Sequence, residues 1–272
     1  MHSRDLIEQY KTYVQDWRRY FHKHPELSNE EFETTKTLAK ELESMGVEVH
    51  VDEERGTGLI GIIHGAKPGK AIALRADIDA LPVQEHNTFD FKSDVDGKMH
   101  ACGHDGHMAI LLGAAKMLTA MKDRIEGDVY LAFQPAEETG AGAPDFMKFD
   151  NWFEKIDAIF GGHVWIDLPA GLISVEAGPR MAASSKITIN VKGKQGHGAQ
   201  PHQAVDAIVV ASAIVMNLQT VVSRNVSALD SLVITIGNIH SGSEWNVSLS
   251  QTLFIRQKLL IPHGSNWWIP IF

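Results

Sequence analysis

Apolar residues in the N-terminal part of the chain recur at intervals of three and four. From about Asp5 to Phe21 this spacing predicts an amphipathic helix. A second helix is predicted to begin at Ser28, because serine is a favoured N-cap residue and two glutamates follow it closely. It is predicted to run to Met45, where Gly46 ends it.

Short apolar runs typical of strands follow these helices. Ala71–Ile78 is almost entirely apolar, as expected for a strand buried on both faces. Strands that alternate with helices predict an α/β fold class. The predicted elements after the second helix are the strands Val47–Val51, Gly58–His64 and Ala71–Ile78, the helix His107–Met121, and the strands Asp128–Phe133 and Ala158–Val164.

The pattern changes near Gly178-Pro179-Arg180. Beyond it, one strand–helix–strand unit predicts a separate, smaller α/β domain. We therefore expect a first domain over residues 1–180 and a smaller one over residues 181–247. The predicted elements of the smaller domain are the alternating strand Lys186–Val191, a helix from about Gln203 to Val222 and the strand Leu232–Ile239.

Composition narrows the classes of function. The 272 residues are 44% hydrophobic and 22% charged, which is typical of a globular protein with room for two domains. A net charge of −9 argues against a nucleic-acid binder. The single cysteine excludes an internal disulfide and favours the reducing cytoplasm. We also expect no membrane-spanning run and no secretory signal, so the predicted location is cytoplasmic.

The single cysteine, Cys102, lies two positions before His104 in a glycine-containing loop. Thiolate and imidazole are the ligands that zinc and other late first-row metals prefer. On its own, a Cys-x-His pair is a weak metal motif. It gains weight only if other ligand-type residues lie nearby in the fold.

Three further groups of ligand-type residues lie at the ends of predicted strands. They are Asp77 with Asp79, Glu137 with Glu138, and His163. Taken singly, adjacent glutamates are usually solvated and a lone histidine is usually structural. Their coincidence at strand ends, where α/β folds place their sites, favours a metal centre. Adjacent glutamates point in different directions, so one can bind a metal while the other acts as a general base.

At this level of detail the chain resembles a known family. It is similar to metal-dependent amidohydrolases of the aminoacylase–carboxypeptidase metallopeptidase group, which includes hippurate hydrolases, N-acyl-L-amino-acid amidohydrolases and indole-acetyl-amino-acid hydrolases. The resemblance covers about residues 5–247. It implies a zinc-exopeptidase-like catalytic domain, with a mixed sheet flanked by helices, and a partial ferredoxin-like lid and dimerisation domain. The motifs that carry it are RADIDALPVQE, MHACGHDGHMA, FQPAEE, GGHV and GKQGHGAQPH.

The resemblance implies hydrolysis of the amide bond of N-acyl amino acids at two divalent metal ions, which could be manganese, zinc, cobalt or nickel. Cys102 is implied to bridge the two ions. His104, Glu138 and His163 are implied to bind one ion each. Glu137 is the implied general base that activates the attacking water.

The resemblance also implies roles outside the ligand set. Asp77 and Asp79 are expected to orient ligands. His197 resembles the lid histidine that polarises the scissile carbonyl of the partner subunit in a homodimer, and Asn246 resembles the lid asparagine that contacts the substrate carboxylate. A generic aminopeptidase is disfavoured, because such relatives carry His-x-Asp where this chain has Asp77-Ile78-Asp79.

The resemblance ends at Asn246-Val247. Residues 248–272 contain no acidic residue and show no clear helix or strand period. We expect a non-family tail, produced by truncation such as a frameshift near Ser248, or a divergent short form. The family's last histidine ligand and a lid strand would then be missing. The expected result is an unstable chain with little hydrolase activity, and the alternative function is a non-catalytic metal- or ligand-binding remnant.

Overall fold

The computed structural model describes residues 3–140, 142–175, 177, 183–230, 232–241 and 251–259. These residues fall into two compact units, the first of which ends at Val175. Two short 3-10 helices, Lys122–Arg124 and Phe149–Lys155, also lie in the first unit. Its other elements are α1 (Ser3–Lys23), α2 (Phe32–Ser44), β1 (Glu48–Val51), β2 (Leu59–His64), β3 (Ile72–Asp77), α3 (His104–Ala120), β4 (Asp128–Gln134), α4 (Gly142–Phe146) and β5 (Ala158–Gly161).

The five strands of the first unit form one mixed sheet in the order β1-β2-β4-β3-β5. β1 and β4 both run antiparallel to β2, whereas β3 runs parallel to both β4 and β5. The predicted α/β fold class with a mixed sheet is therefore confirmed. Because β3, β4 and β5 are parallel, their carboxyl ends lie at the same edge of the sheet.

Apolar side chains cover both faces of this sheet. On one face, Leu38 and Leu42 of α2 and Leu112 of α3 are fully buried in a cluster that includes strand residues. On the other face, Phe146 and Trp152 pack on a second cluster, and the indole Nε1 donates a hydrogen bond to the Phe146 carbonyl over 2.7 Å. Burying each such side chain stabilises the fold by about 1.5–3 kcal/mol, so the sheet is a firm support for the residues at its edge.

α2 begins later than the serine signal predicts. Its first residue is Phe32, and Ser28 does not cap it. The carboxylate of Glu26 instead accepts hydrogen bonds from the backbone N–H groups of Glu33 and Thr34. Ser28 donates its hydroxyl to a different segment, which is described with the site below. The N-cap prediction is wrong because a tertiary contact takes the serine hydroxyl away from the helix.

The described residues of the second unit form a three-stranded sheet and one long helix. Its sheet order is β6-β8-β7, with β8 antiparallel to both neighbours. The expectation that residues 248–272 show no strand is therefore wrong for Gln251–Leu259. Leu253, Ile255 and Leu259 lie two and four residues apart in the sequence, which fits the two-residue period of a strand. β6 and β7 offer backbone groups for a strand between them. The elements of this unit are β6 (Ala183–Val191), the 3-10 turn Pro201–Gln203, α5 (Ala207–Thr220), the π-helical turn Val221–Asn225, β7 (Leu232–His240) and β8 (Gln251–Leu259).

α5 and the π-helical turn after it form an apolar segment, Ala207–Asn225. By length and composition alone, this segment could cross a membrane, and it is the one such helix among the described residues. The expectation that no apolar run reaches such a length is therefore wrong. The observation does not identify a membrane protein, because core helices of globular proteins pass the same test.

A buried ionic network connects α1 to the start of α3. His22 lies 3.2 Å from Glu85 through Nε2 and 2.8 Å from Asp105 through Nδ1. Arg18 contacts the same Asp105 oxygen over 2.9 Å. His22, Glu85 and Asp105 are all buried. The network therefore attaches the loop before α3, and the first turn of α3 itself, to the N-terminal helix.

The contacts of this network shift the pKa values of its three buried groups. Burial lowers the pKa of His22, but its hydrogen bonds to Asp105 and Glu85 outweigh burial and raise the pKa above the ordinary value of 6.5. Burial raises the pKa values of Asp105 and Glu85, but hydrogen bonds, including those from His22, leave both lowered. The contacts of this network therefore favour a charged imidazole between two charged carboxylates.

Replacing His22 with alanine should lower the free energy of unfolding by about 3–5 kcal/mol near pH 6, because two buried carboxylates lose their partner. The stability that His22 contributes is fully present below the pKa that His22 has in the unfolded chain. It is lost as the pH rises through the higher pKa of His22 in the folded protein. The difference in free energy of unfolding between wild type and His22→Ala should therefore shrink at alkaline pH. Urea unfolding from about pH 5 to about pH 9 measures this difference.

Lys67→Ala is the matched control for this prediction. It removes an exposed ion pair with Glu126 (3.0 Å) and should cost less than about 1 kcal/mol. A His22→Ala variant no less stable than Lys67→Ala would show that the buried network does not stabilise the fold.

Candidate metal centre

The carboxyl ends of three parallel strands bring most of the predicted site residues to one edge of the sheet. Asp77 is the last residue of β3 and is paired with Gln134, the last residue of β4. Glu137 and Glu138 follow β4, and His163 follows β5. The sheet topology thus places carboxylates and an imidazole from distant parts of the sequence next to one another.

Cys102 and His104 reach the same place from the start of α3. Gly103, between them, has a φ of 103°, a left-handed conformation that favours glycine. A Cβ atom there would lie 2.4 Å from Cγ2 of Val164, so the residue after His163 packs directly against the glycine. This close approach brings the Cys102–His104 loop against the loop after β5.

Donor atoms from these loops lie within coordinating range of one another. The Cys102 Sγ atom lies 3.4 Å from Nε2 of His163, and Nε2 of His104 lies 3.9 Å from Oε1 of Glu138. Three groups have donor atoms that all lie within 4.8 Å of one another among the described residues, and His104 belongs to every one. The groups are Cys102/His104/His163, Asp77/His104/His107 and His104/Glu137/Glu138.

Asp79 fixes which nitrogen of His104 faces the cluster. Nδ1 of His104 lies 2.8 Å from the backbone carbonyl of Asp79 and 3.2 Å from its carboxylate, so this nitrogen carries the proton. The other oxygen of Asp79 accepts the backbone N–H of Glu138 and the hydroxyl of Ser28. With Nδ1 donating, the lone pair of Nε2 is free to bind a metal ion.

Two observations show that this pocket fits a cation. Nε2 of His104 and Oε1 of Glu138 are buried and have no hydrogen-bond partner, although buried polar atoms are almost always paired. Burial lowers the pKa of His104, but Asp79, Cys102 and Asp77 raise it to about 11, which shows how strongly the surroundings favour positive charge. Thiolate, imidazole and carboxylate donors suit a divalent transition metal.

A series of polar contacts connects the sheet to the loop that carries His163. Arg75 contacts one oxygen of Asp77 over 2.8 Å, and the other oxygen lies 2.6 Å from Nδ1 of His107. Nε2 of His107 then accepts the backbone N–H of Val164 over 3.0 Å. Because both nitrogens are engaged, His107 supports the ligand loop rather than binding a metal itself.

The remaining contacts aim the other two donors. Nδ1 of His163 hydrogen-bonds to the carbonyl of Val164, so its Nε2 faces Cys102. Interaction with His104 lowers the pKa of the Cys102 thiol, but burial and the charge of Glu138 outweigh it and raise the pKa. A bound cation is therefore needed to hold this sulfur as a thiolate.

Glu137 differs from Glu138 in its surroundings. It is half-buried, and burial followed by the negative charge of Asp77 raises the pKa of its carboxyl group. A carboxylate with a raised pKa beside a metal site is suited to take up a proton. Its neighbour Glu138 is the one whose oxygen lies nearest to His104.

The structure brings together seven of the nine predicted site residues. Of the others, His197 lies in the second unit, where its Nδ1 accepts the backbone N–H of Ala199, and Asn246 lies outside the described residues. No role was predicted for His107 or Arg75, and Ser28 was predicted to cap a helix rather than to contact a site residue. The position of His107, three residues after His104 and so on the same helix face, was the available signal for it.

Known proteins are similar to this chain in sequence and in fold. The chain matches the family model described as peptidase family M20/M25/M40 over residues 73–251. It is 42% identical over 242 residues to an N-acyl-L-amino acid amidohydrolase of Geobacillus stearothermophilus, covering 89% of this chain and 65% of the relative. It is 46% identical over 230 residues to an N-acetyl-L-cysteine deacetylase of Bacillus subtilis strain 168, covering 85% and 55%.

A solved structure agrees with these matches. A crystal structure of a Bacillus subtilis protein, described as a dinuclear metal binding peptidase from the M20 family, superposes with a TM-score of 0.72 at 36% identity. The match covers 94% of this chain and 66% of that chain. The chain spans 65% and 55% of the length of the two curated relatives. By sequence and by fold, the chain belongs to the peptidase family M20/M25/M40.

Proposed function

We propose that the protein hydrolyses the amide bond of N-acyl amino acids at a centre of two divalent metal ions. The observation that carries the proposal is the convergence of Cys102, His104, Glu138 and His163 around buried, unpartnered donor atoms. The amidohydrolase and deacetylase relatives support the substrate class, and the dinuclear relative supports the number of ions.

The same four residues would hold the ions, and Cys102 would contribute its sulfur to this ligand set. When bound, the ions would polarise the acyl oxygen and lower the pKa of the attacking water. Manganese, zinc, cobalt and nickel are the candidates, and the thiolate and imidazole donors suit the softer ones. Asp79 keeps His104 in the tautomer that metal binding requires. Asp77 orients His107, which supports the loop that carries His163.

Glu137 is the proposed general base. It takes a proton from the attacking water and then transfers it to the nitrogen of the leaving amino acid. Burial raises the pKa of its carboxyl group, which favours uptake of the proton from the water. General acid–base catalysis of this kind contributes about 10²–10⁴-fold to rate.

The second unit is proposed to complete the substrate site of a homodimer. His197 would donate to the acyl oxygen as negative charge develops on it in the partner's site, and Asn246 would contact the substrate carboxylate. The substrate is then a small N-acyl amino acid such as a hippurate or an N-acetylated amino acid. The first domain at residues 1–180, a smaller domain that begins at residue 181 and the cytoplasmic location are part of the same proposal.

Glu137→Gln should retain about two bound ions per chain and lower the rate of hydrolysis about 10²–10⁴-fold, because it removes the base but no ligand. Glu138→Gln is the matched comparison and should lose bound metal. Metal content after dialysis, with release of free amino acid from N-acetylmethionine or hippurate, measures both effects.

Different outcomes would select the alternative, a non-catalytic metal- or ligand-binding remnant. A remnant of this kind would bind at most one ion per chain. Its wild-type form would already show no hydrolysis, so Glu137→Gln would cause no further loss. Our expectation that the 272-residue chain is weakly active stays a prediction. Hydrolysis at ordinary rates with added manganese or zinc would contradict it.

His107→Ala should weaken metal binding about 10–100-fold without removing a ligand, because His163 loses the support of its loop. Isothermal titration with zinc or cobalt measures the affinity. His86→Ala removes an exposed histidine and is the control. Equal affinities of the two variants would show that the contact chain from Asp77 through His107 to Val164 does not position the ligand.

A further inference from the structure

A buried carboxyl group lies at the start of α2 and takes no part in the ligand set. Glu31 occupies the N-cap position of this helix and is fully buried. N-cap side chains normally accept hydrogen bonds from their own helix, but Glu31 makes none there. Glu26 caps the helix instead, so the side chain of Glu31 is free for another use.

The partner of Glu31 lies next to the two glutamates of the site. Its Oε1 accepts the backbone N–H of Ala136 over 2.8 Å, from a residue 105 positions along the chain. Ala136 is buried and has a φ of 53°, a left-handed conformation that costs a residue other than glycine about 1–2 kcal/mol. A strained conformation persists only where surrounding contacts hold it.

This strained residue sets the course of the chain from β4 to the glutamates. Its carbonyl accepts hydrogen bonds from the backbone N–H of Gly142 and the hydroxyl of Thr139, both over 3.2 Å. Those contacts are local, within six residues. The hydrogen bond from the Ala136 N–H to Glu31, by contrast, attaches Ala136 to a separate element, the start of α2.

Burying the carboxyl group of Glu31 costs free energy, so its presence at this position needs an explanation. Its Oε2 atom is buried and has no hydrogen-bond partner, which costs about 1–3 kcal/mol. Burial, together with the charge of Asp79, raises the pKa of the carboxyl group. An apolar side chain would fill this position without either cost, so stability of α2 alone does not account for a glutamate here.

We propose that Glu31 is a positioning residue that holds Ala136 in its left-handed conformation, so that Glu138 faces His104 and Glu137 faces the reacting water. The inference rests on the proposed function for the roles of those two glutamates. It adds a contact from α2 that determines where both carboxylates point. Glu31 acts through the backbone of Ala136 and touches neither metal nor substrate.

Cobalt titration of four proteins tests this role. Glu31→Ala should bind cobalt about 10–100-fold more weakly than wild type, the range found when a contact that orients a ligand is lost. Glu31→Gln keeps an oxygen acceptor for the Ala136 N–H and should restore binding to the wild-type level. Glu33→Ala, which removes an exposed carboxylate from the same helix turn, should leave binding unchanged.

A second readout does not depend on metal. In the ion-free proteins, the amide of Ala136 should exchange its hydrogen faster in Glu31→Ala than in wild type or Glu31→Gln. If Glu31→Ala does not fold, Glu31→Asp replaces it, because its shorter side chain retracts the carboxylate from Ala136. Wild-type affinity and unchanged Ala136 exchange in a folded Glu31→Ala or Glu31→Asp protein would overturn the inference.

The two readouts also separate this inference from the proposed function. If wild type binds no cobalt, the proposed metal centre is wrong, and the exchange of Ala136 still decides whether Glu31 holds the turn. If wild type binds cobalt and Glu31→Ala binds it equally well, the metal centre stands and the role of Glu31 is wrong. A lower melting temperature in Glu31→Ala with unchanged cobalt affinity would likewise assign Glu31 a purely structural role.

Discussion

The arrangement of the metal centre depends on the buried carboxylate of Asp79. It contacts three segments that are far apart in the sequence: the His104 ring, the backbone of Glu138 and the hydroxyl of Ser28. Burial raises the pKa of Asp79, but the hydrogen bonds from these three partners outweigh burial and lower it. An ionised group with this many donors is stable inside the fold, and each donor is held in place by the others.

The charge around Asp79 explains why the same cluster suits a cation. Asp77, Glu137 and Glu138 add carboxylates within a small volume, and among the described residues the fixed positive charge beside them is that of Arg75. Without an ion, His104 takes up a proton and supplies the missing positive charge. A divalent ion would replace that proton at Nε2, so metal binding should release protons and depend on pH. A cluster of purely structural ion pairs would leave no donor atoms buried and unpartnered.

Much of the fold could be predicted from the sequence, and the failures have physical causes. The α/β class and the position of ligand-type residues at strand ends follow from hydrophobic periodicity and from the geometry of parallel strands. Ser28 was assigned to a helix cap because local sequence cannot show that Asp79 competes for its hydroxyl. Glu31 and His107 have roles that arise only from contacts across thirty or more residues. β8 pairs with the two strands that flank it. Periodicity carries no information about such distant partners.

The contacts that orient the ligands are polar, whereas those that stabilise the sheet are apolar, and this division has a physical reason. Apolar packing is not directional, so it can support the carboxyl edge of the sheet but cannot select a histidine tautomer or the direction of a carboxylate. Hydrogen bonds that Asp79, Asp77 and Glu31 accept do select them. The network of His22, Glu85 and Asp105 extends the same principle outward, because Asp105 adjoins His104 in the first turn of α3. Substitutions in these polar contacts should therefore impair metal binding more than their effect on stability suggests, and substitutions in the apolar clusters should do the reverse.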